Sequence, residues 1–75
     1  MHVDVRYYAM LREARGRDAE RVELPDGSTA RALYEQLFPE PRVPVQVAVS
    51  HAVVGLDTVL TDGDEVVFLP PVGGG

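Results

Sequence analysis

The chain contains no cysteine, no lysine and no tryptophan among its 75 residues. Without cysteine there are no disulfides, no thiolate nucleophile and no Cys-ligated zinc or iron–sulfur site. Without lysine there is no phosphate-loop Lys, no Schiff base and no acceptor for self-conjugation. The only histidines, His2 and His51, show no metal-ligand spacing. No apolar run approaches transmembrane length, and the N-terminus lacks the apolar stretch of a signal peptide. Basic residues are also scarce, seven against twelve acidic, for a net charge of −5. That balance argues against a nucleic-acid partner and against an anionic membrane surface. It fits an acidic protein that meets a basic protein partner. The expectation is a soluble, cytoplasmic protein, the compartment being the default. The length excludes a barrel or a full dinucleotide-binding domain and leaves a single small core, which 45% hydrophobic residues can build.

His2 to Tyr8 alternates polar and apolar, which predicts a strand with Val3, Val5 and Tyr7 inward and Tyr8 outward. Met10 to Arg15 reads as a short helix closed by Gly16 in a left-handed cap, with Leu11 and Ala14 facing the core. Glu20 to Leu24 alternates again, with Val22 and Leu24 inward, and Pro25-Asp26-Gly27 follows as a turn. Ser28 or Thr29 caps a second helix of about nine residues, in which Ala30, Leu33, Tyr34 and Leu37 recur at helical spacing. Pro39, Pro41 and Pro44 end it. Val45 to Ser50 is a third strand with Val45, Val47 and Val49 inward, followed by a short fourth strand at Ala52 to Val54. Leu60 plugs the core after a turn, Asp62-Gly63 is a tight turn, and Asp64 to Leu69 is the last strand.

This order is an α+β fold of the β-grasp (ubiquitin-like) type, a mixed sheet of about five strands on one main helix. A ferredoxin-like split βαβ is the runner-up, but its second long helix is missing. Residues 1–69 form the globular domain, and 70–75 form a projecting Pro-Pro-Val-Gly-Gly-Gly tail.

No group of residues resembles an active site. Asp62, Asp64 and Glu65 lack the further oxygen ligands of a calcium loop and read as hairpin-turn chemistry, so no metal is assigned. His51 reads as a surface residue and Tyr7 as core. The unusual feature is the end of the chain, which passes from a strong strand through a stiff diproline to bare glycine. Three extended glycines reach ~10 Å and, lacking Cβ atoms, can thread a channel too narrow for a side chain. The group such a tail presents is the Gly75 carboxylate. It needs activation, and because the chain has no nucleotide site of its own, a partner must supply it.

At these positions the chain resembles the ubiquitin-like sulfur carriers, and among them the small subunits of molybdopterin synthase. The resemblance rests on Val5 to Glu13, with its aromatic pair, Ala and Arg-Glu; on Ala48-Val49-Ser50, where Ser stands for the usual Asn; and on Leu60 to Val66 with Phe68 to Gly75. It runs the whole length and is most specific in the last fifteen or so residues. It implies that an E1-like adenylyltransferase uses ATP and magnesium to adenylate Gly75, with Gly74 beside it. Sulfur from a donor such as a cysteine desulfurase or rhodanese system then leaves a Gly75 thiocarboxylate. The large synthase subunit takes that sulfur for a cyclic pyranopterin monophosphate. The chain itself binds no cofactor.

Strand parity turns Tyr8, Val67 and Leu69 outward, with Val53 joining them. Tyr8, Val53 and Leu69 match the interface patch of the resembled family. The expected partner-binding set is therefore Tyr8, Val53, Val67, Leu69, Pro70, Pro71, Val72 and Gly73. The other readings are a sulfur carrier for tRNA thiolation or thiamine synthesis, a ubiquitin-like protein modifier, and a plain interaction domain. The thiamine carriers usually lack the Pro-Pro-Val before the glycines.

Overall fold

The computed structural model describes residues 1–71; Val72, Gly73, Gly74 and Gly75 lie outside the described residues. Five strands and two helices follow in the order β1 (His2–Tyr7), α1 (Met10–Arg15), β2 (Ala19–Glu23), α2 (Ala30–Leu37), β3 (Gln46–Val49), β4 (Ala52–Val54) and β5 (Glu65–Leu69). They form one mixed sheet ordered β2-β1-β5-β3-β4, with β1 and β5 parallel at its centre and the other pairs antiparallel. This is the expected β-grasp architecture. None of the helices in the described residues is long and apolar enough to cross a membrane.

The period-two residues behave as the sequence dictates. Val3, Val5 and Tyr7 of β1, Val22 of β2, Val47 of β3, and Val66 and Phe68 of β5 are all buried on one face. Against that face α2 lays Ala30, Leu33 and Leu37, with Tyr34 half-buried at the margin. Thr29 starts the helix by accepting the Ala32 N–H at 3.2 Å, and Ser28 instead donates to the Pro25 carbonyl. Leu60 closes the core below α2 and is 1% exposed.

Several local expectations shift. Leu11 is fully buried but Ala14 is exposed, because α1 is only six residues long and lays a single residue over the core. Gly16 ends α1 at φ 72°, as predicted, where its N–H reaches the Arg12 and Glu13 carbonyls. Val45 and Val49 point inward at the rim and are half-buried. Phe38, which lies one residue past the end of α2 in extended conformation and outside the core expected from the sequence, is 3% exposed. It follows the last residue of α2 and folds back over the sheet, edge-on to both Tyr7 and Phe68.

Candidate functional site: the outer sheet face and the exit of β5

The face of the sheet away from α2 carries the expected docking residues. Strand register runs a row across it from Val53 on β4 to Ala48 on β3, Val67 on β5 and Arg6 on β1. One rung toward the end of β5, Gln46 stands opposite Leu69. The Tyr7–Phe68 pairing brings Tyr8 alongside Leu69, and the Tyr8 N–H donates to the Phe68 carbonyl at 3.3 Å. Tyr8 and Val53 are open to solvent, at 50% and 61% exposure. Val67 and Leu69 are half-buried, so the flanking side chains already shelter them. Pro70 is half-buried and Pro71 exposed; the predicted Val72, Gly73, Gly74 and Gly75 fall outside the described residues.

Ala48 is the member that sequence reasoning missed. It lies on the outward phase yet is only 7% exposed, between Val53 and Val67. Its small side chain keeps the row low, so the larger side chains close over it. The signal was present in the alternation of Val45 to Val49, which leaves Ala48 as the one outward residue at the centre of the strand.

The apolar row passes into a charged strip on β1 and β2. Arg6 pairs with Glu65 at 3.2 Å, Arg21 with Asp4 at 3.1 Å, and the exposed His51 ring lies 3.9 Å from Glu65. A shallow depression of about 380 Å³ opens among Asp4, Arg6, Arg21 and Glu65, away from the strand exit. These exposed pairs contribute little stability individually, but they set the polar border of the apolar row.

A partly buried polar network fixes the segment that presents Tyr8. The Tyr7 hydroxyl donates to Glu20 at 2.5 Å, and the Arg15 guanidinium donates to the same carboxylate oxygen at 2.8 Å. Arg15 also donates to the Leu37 carbonyl at 2.8 Å, tying α1 to the C-terminus of α2. Burial pushes the Tyr7 hydroxyl well above the usual phenol range, and the bond to Glu20 adds to it. For Glu20, burial pushes upward, but the bonds from Tyr7 and Arg15 and the charges of Arg15 and Arg17 together hold its carboxyl below the usual range. Between β1 and α1 the chain turns at Ala9, with φ 54° and ψ −132°, a conformation that favours glycine.

The acidic turn has a structural occupation. Asp62 accepts the His2 N–H at 2.9 Å, which lowers its pKa, and Asp64 accepts the Thr61 N–H at 2.8 Å. Among the described residues no three His, Cys, Asp or Glu side chains are grouped to hold a metal ion.

A β-grasp domain with an apolar outer row leading to a diproline strand exit defines a class of small ubiquitin-like proteins. Within that class, the model of the ThiS family matches residues 5–75. The chain belongs to the ThiS family. It is 41% identical to the molybdopterin synthase sulfur carrier subunit of Mycobacterium tuberculosis, over 97% of this chain and 96% of that one. It is 36% identical to the subunit of the same name from Escherichia coli, over 97% and 99% of the two chains. Among solved structures, a putative molybdopterin converting factor subunit 1 from Pyrococcus furiosus superposes with a TM-score of 0.81 at 33% identity, covering 96% of this chain and 99% of that one. A complex of subunits 1 and 2 of molybdopterin-converting factor from Helicobacter pylori matches over 100% of both chains, with a TM-score of 0.62 at 27% identity. The small archaeal modifier protein 1 of Haloferax volcanii shares the fold alone, with a TM-score of 0.74 at 22% identity and full coverage of both chains.

Proposed function

We infer that this chain is the sulfur-carrier subunit of a molybdopterin synthase. The observation that supports the reading best is its 41% and 36% identity, over 97% of this chain, with two subunits of that name. In this reading the Gly75 carboxylate attacks the α-phosphate of ATP in an E1-like enzyme, which requires magnesium, and pyrophosphate leaves. The persulfide of a sulfur donor, such as a cysteine desulfurase or rhodanese system, displaces AMP to form an acyl disulfide, and a second thiol cleaves the S–S bond to leave a thiocarboxylate and a disulfide. Docked on the large synthase subunit, the thiocarboxylate gives up its sulfur to the cyclic pyranopterin monophosphate, and water restores the carboxylate oxygen. Catalytic side chains belong to the partners. This chain contributes the sulfur and a docking surface formed by Tyr8, Val53, Val67 and Leu69, with residues 70–73 leading into the partner's site. The large subunit as partner is supported by the complex of the Helicobacter pylori relative.

The test is intact mass after co-expression with candidate E1-like enzymes and a sulfur donor. The expected product has one oxygen replaced by sulfur, and it thiolates the pterin precursor when the large subunit is added. A product carrying the mass of a second protein instead would make the chain a modifier. A thiocarboxylate that serves only a thiolated tRNA or thiamine would move it to a neighbouring pathway.

A further inference from the structure

Among the described residues the sheet stops at Leu69 on both flanks of β5, and prolines stand in ladder register beyond it. On the β3 side, Gln46 faces Leu69 and Ala48 faces Val67. Ser50 continues that register and donates its N–H to Glu65 at 3.0 Å, which marks its pair as a hydrogen-bonded one. In an antiparallel ladder the bonded pairs recur at every second residue. Ala48–Val67 and Gln46–Leu69 are therefore bonded pairs, and the next one outward is Pro44–Pro71. A bonded pair exchanges two N–H donors, and here neither residue has one.

On the β1 side the Tyr8 N–H already donates to Phe68. The slanted parallel ladder would next draw the N–H of residue 70 to the Tyr8 carbonyl. Residue 70 is proline, and the Tyr8 carbonyl accepts the Leu11 N–H at 3.1 Å instead. Ala9 then turns the chain away into α1. Successive residues of a strand present their N–H groups to alternate neighbours, so each proline of the pair removes a rung on a different flank.

The sequence gives this stop something to oppose. Valine stands at 43, 45, 47 and 49, a strand pattern that runs past Pro44, yet β3 begins only at Gln46. Continued one step beyond the prolines, the register would set Val43 against Val72, two good strand formers.

We propose that Pro44, Pro70 and Pro71 act together as a ladder stop that prevents the segment after Leu69 from being taken up as an extension of β5. Its use, keeping a carrier terminus available to partners, rests on the function proposed above; the stop itself does not. The test is the Pro44→Thr/Pro71→Thr double variant of the full chain, read by NMR amide exchange. The new amides at positions 44 and 71 should exchange at least about tenfold more slowly than in an open chain, with a cross-strand contact between them. Both exchanging at the open-chain rate, while core amides stay protected, would overturn the stop. The single Pro44→Thr variant, whose amide faces the Pro71 carbonyl, is read in the same way if the double variant does not fold. Adenylation of the double variant should fall severalfold. A wild-type chain that no E1-like enzyme adenylates would sink the functional reading, while the amide measurement still decides the stop.

Discussion

The rings of Tyr7 and Phe68 stack across the parallel β1–β5 ladder, 6.2 Å between centroids and within 15° of parallel. Phe38 meets both edge-on, at 6.0 and 5.5 Å, and so locks the end of α2 onto the two central strands. Truncating Phe68 to Ala should cost ~3–5 kcal/mol, out of a total that for a small domain is only about 5–15 kcal/mol. Phe38→Ala should cost nearly as much, although Phe38 stands just outside α2. Urea unfolding of both variants checks this; a Phe38→Ala midpoint equal to wild type would show that its packing is incidental.

Glu20 releases its proton more readily folded than unfolded. Its contribution is therefore present above the ordinary carboxylate value near 4.5 and is lost as pH falls through its lowered folded value. Tyr7→Phe, which removes a hydrogen bond to that carboxylate, should cost roughly 1.5–3 kcal/mol at neutral pH. The gap between wild type and Glu20→Gln should be widest at neutral pH and close on acidification. Denaturation series between neutrality and strong acid measure it, and a gap that does not change with pH would remove Glu20 from the pH response.

Val53 is the cleanest probe of the outer row, since it is 61% exposed while Leu69 is half-buried. Val53→Asp should cost no more than about 1 kcal/mol of stability and weaken binding to the large synthase subunit by at least ~2 kcal/mol if Val53 is a central anchor. The E1-like enzyme should use the same row and compete with that subunit. Titrations against each purified partner decide the point, and unaltered affinity for both would end the shared-surface idea.

The hydrophobic core lies between Val3 and Phe68. Deleting Gly74 and Gly75 should therefore shift the melting temperature by no more than about 1 °C, well under the several degrees that 1 kcal/mol produces in a domain of this size. The same deletion should abolish thiocarboxylate formation. Calorimetry and intact mass on one preparation test both halves.

Much of this was legible in the residues because strands with one wet face write their period plainly, as in Val3, Val5 and Tyr7, and α2 writes its own in Ala30, Leu33 and Leu37. The diproline and glycine end stands out in the sequence without any fold. What escaped is what depends on partners distant in sequence. Phe38 gains its place from β1 and β5, not from its own helix. Ala48 is covered by cross-strand neighbours. Glu20 collects Tyr7 and Arg15 from two other elements, and in a strand pattern it is simply the polar alternate. Ala14 was misplaced for the opposite reason: a three-residue spacing implies a shared face only where the helix has a second turn to lay down.

Because β1 and β5 run in the same direction, the turn at Asp26 sits at the pole opposite Leu69, where the Met1 ammonium meets the Leu24 carbonyl at 2.9 Å and Asp26 at 3.3 Å. The run of β1 from Met1 to Tyr8, which lies beside Leu69, puts these poles roughly 23 Å apart. The Asp26 side chain is 93% exposed. Its position is thus a natural attachment point for a fluorophore or a surface linker, from which the protein can be watched or immobilised with its working pole facing outward.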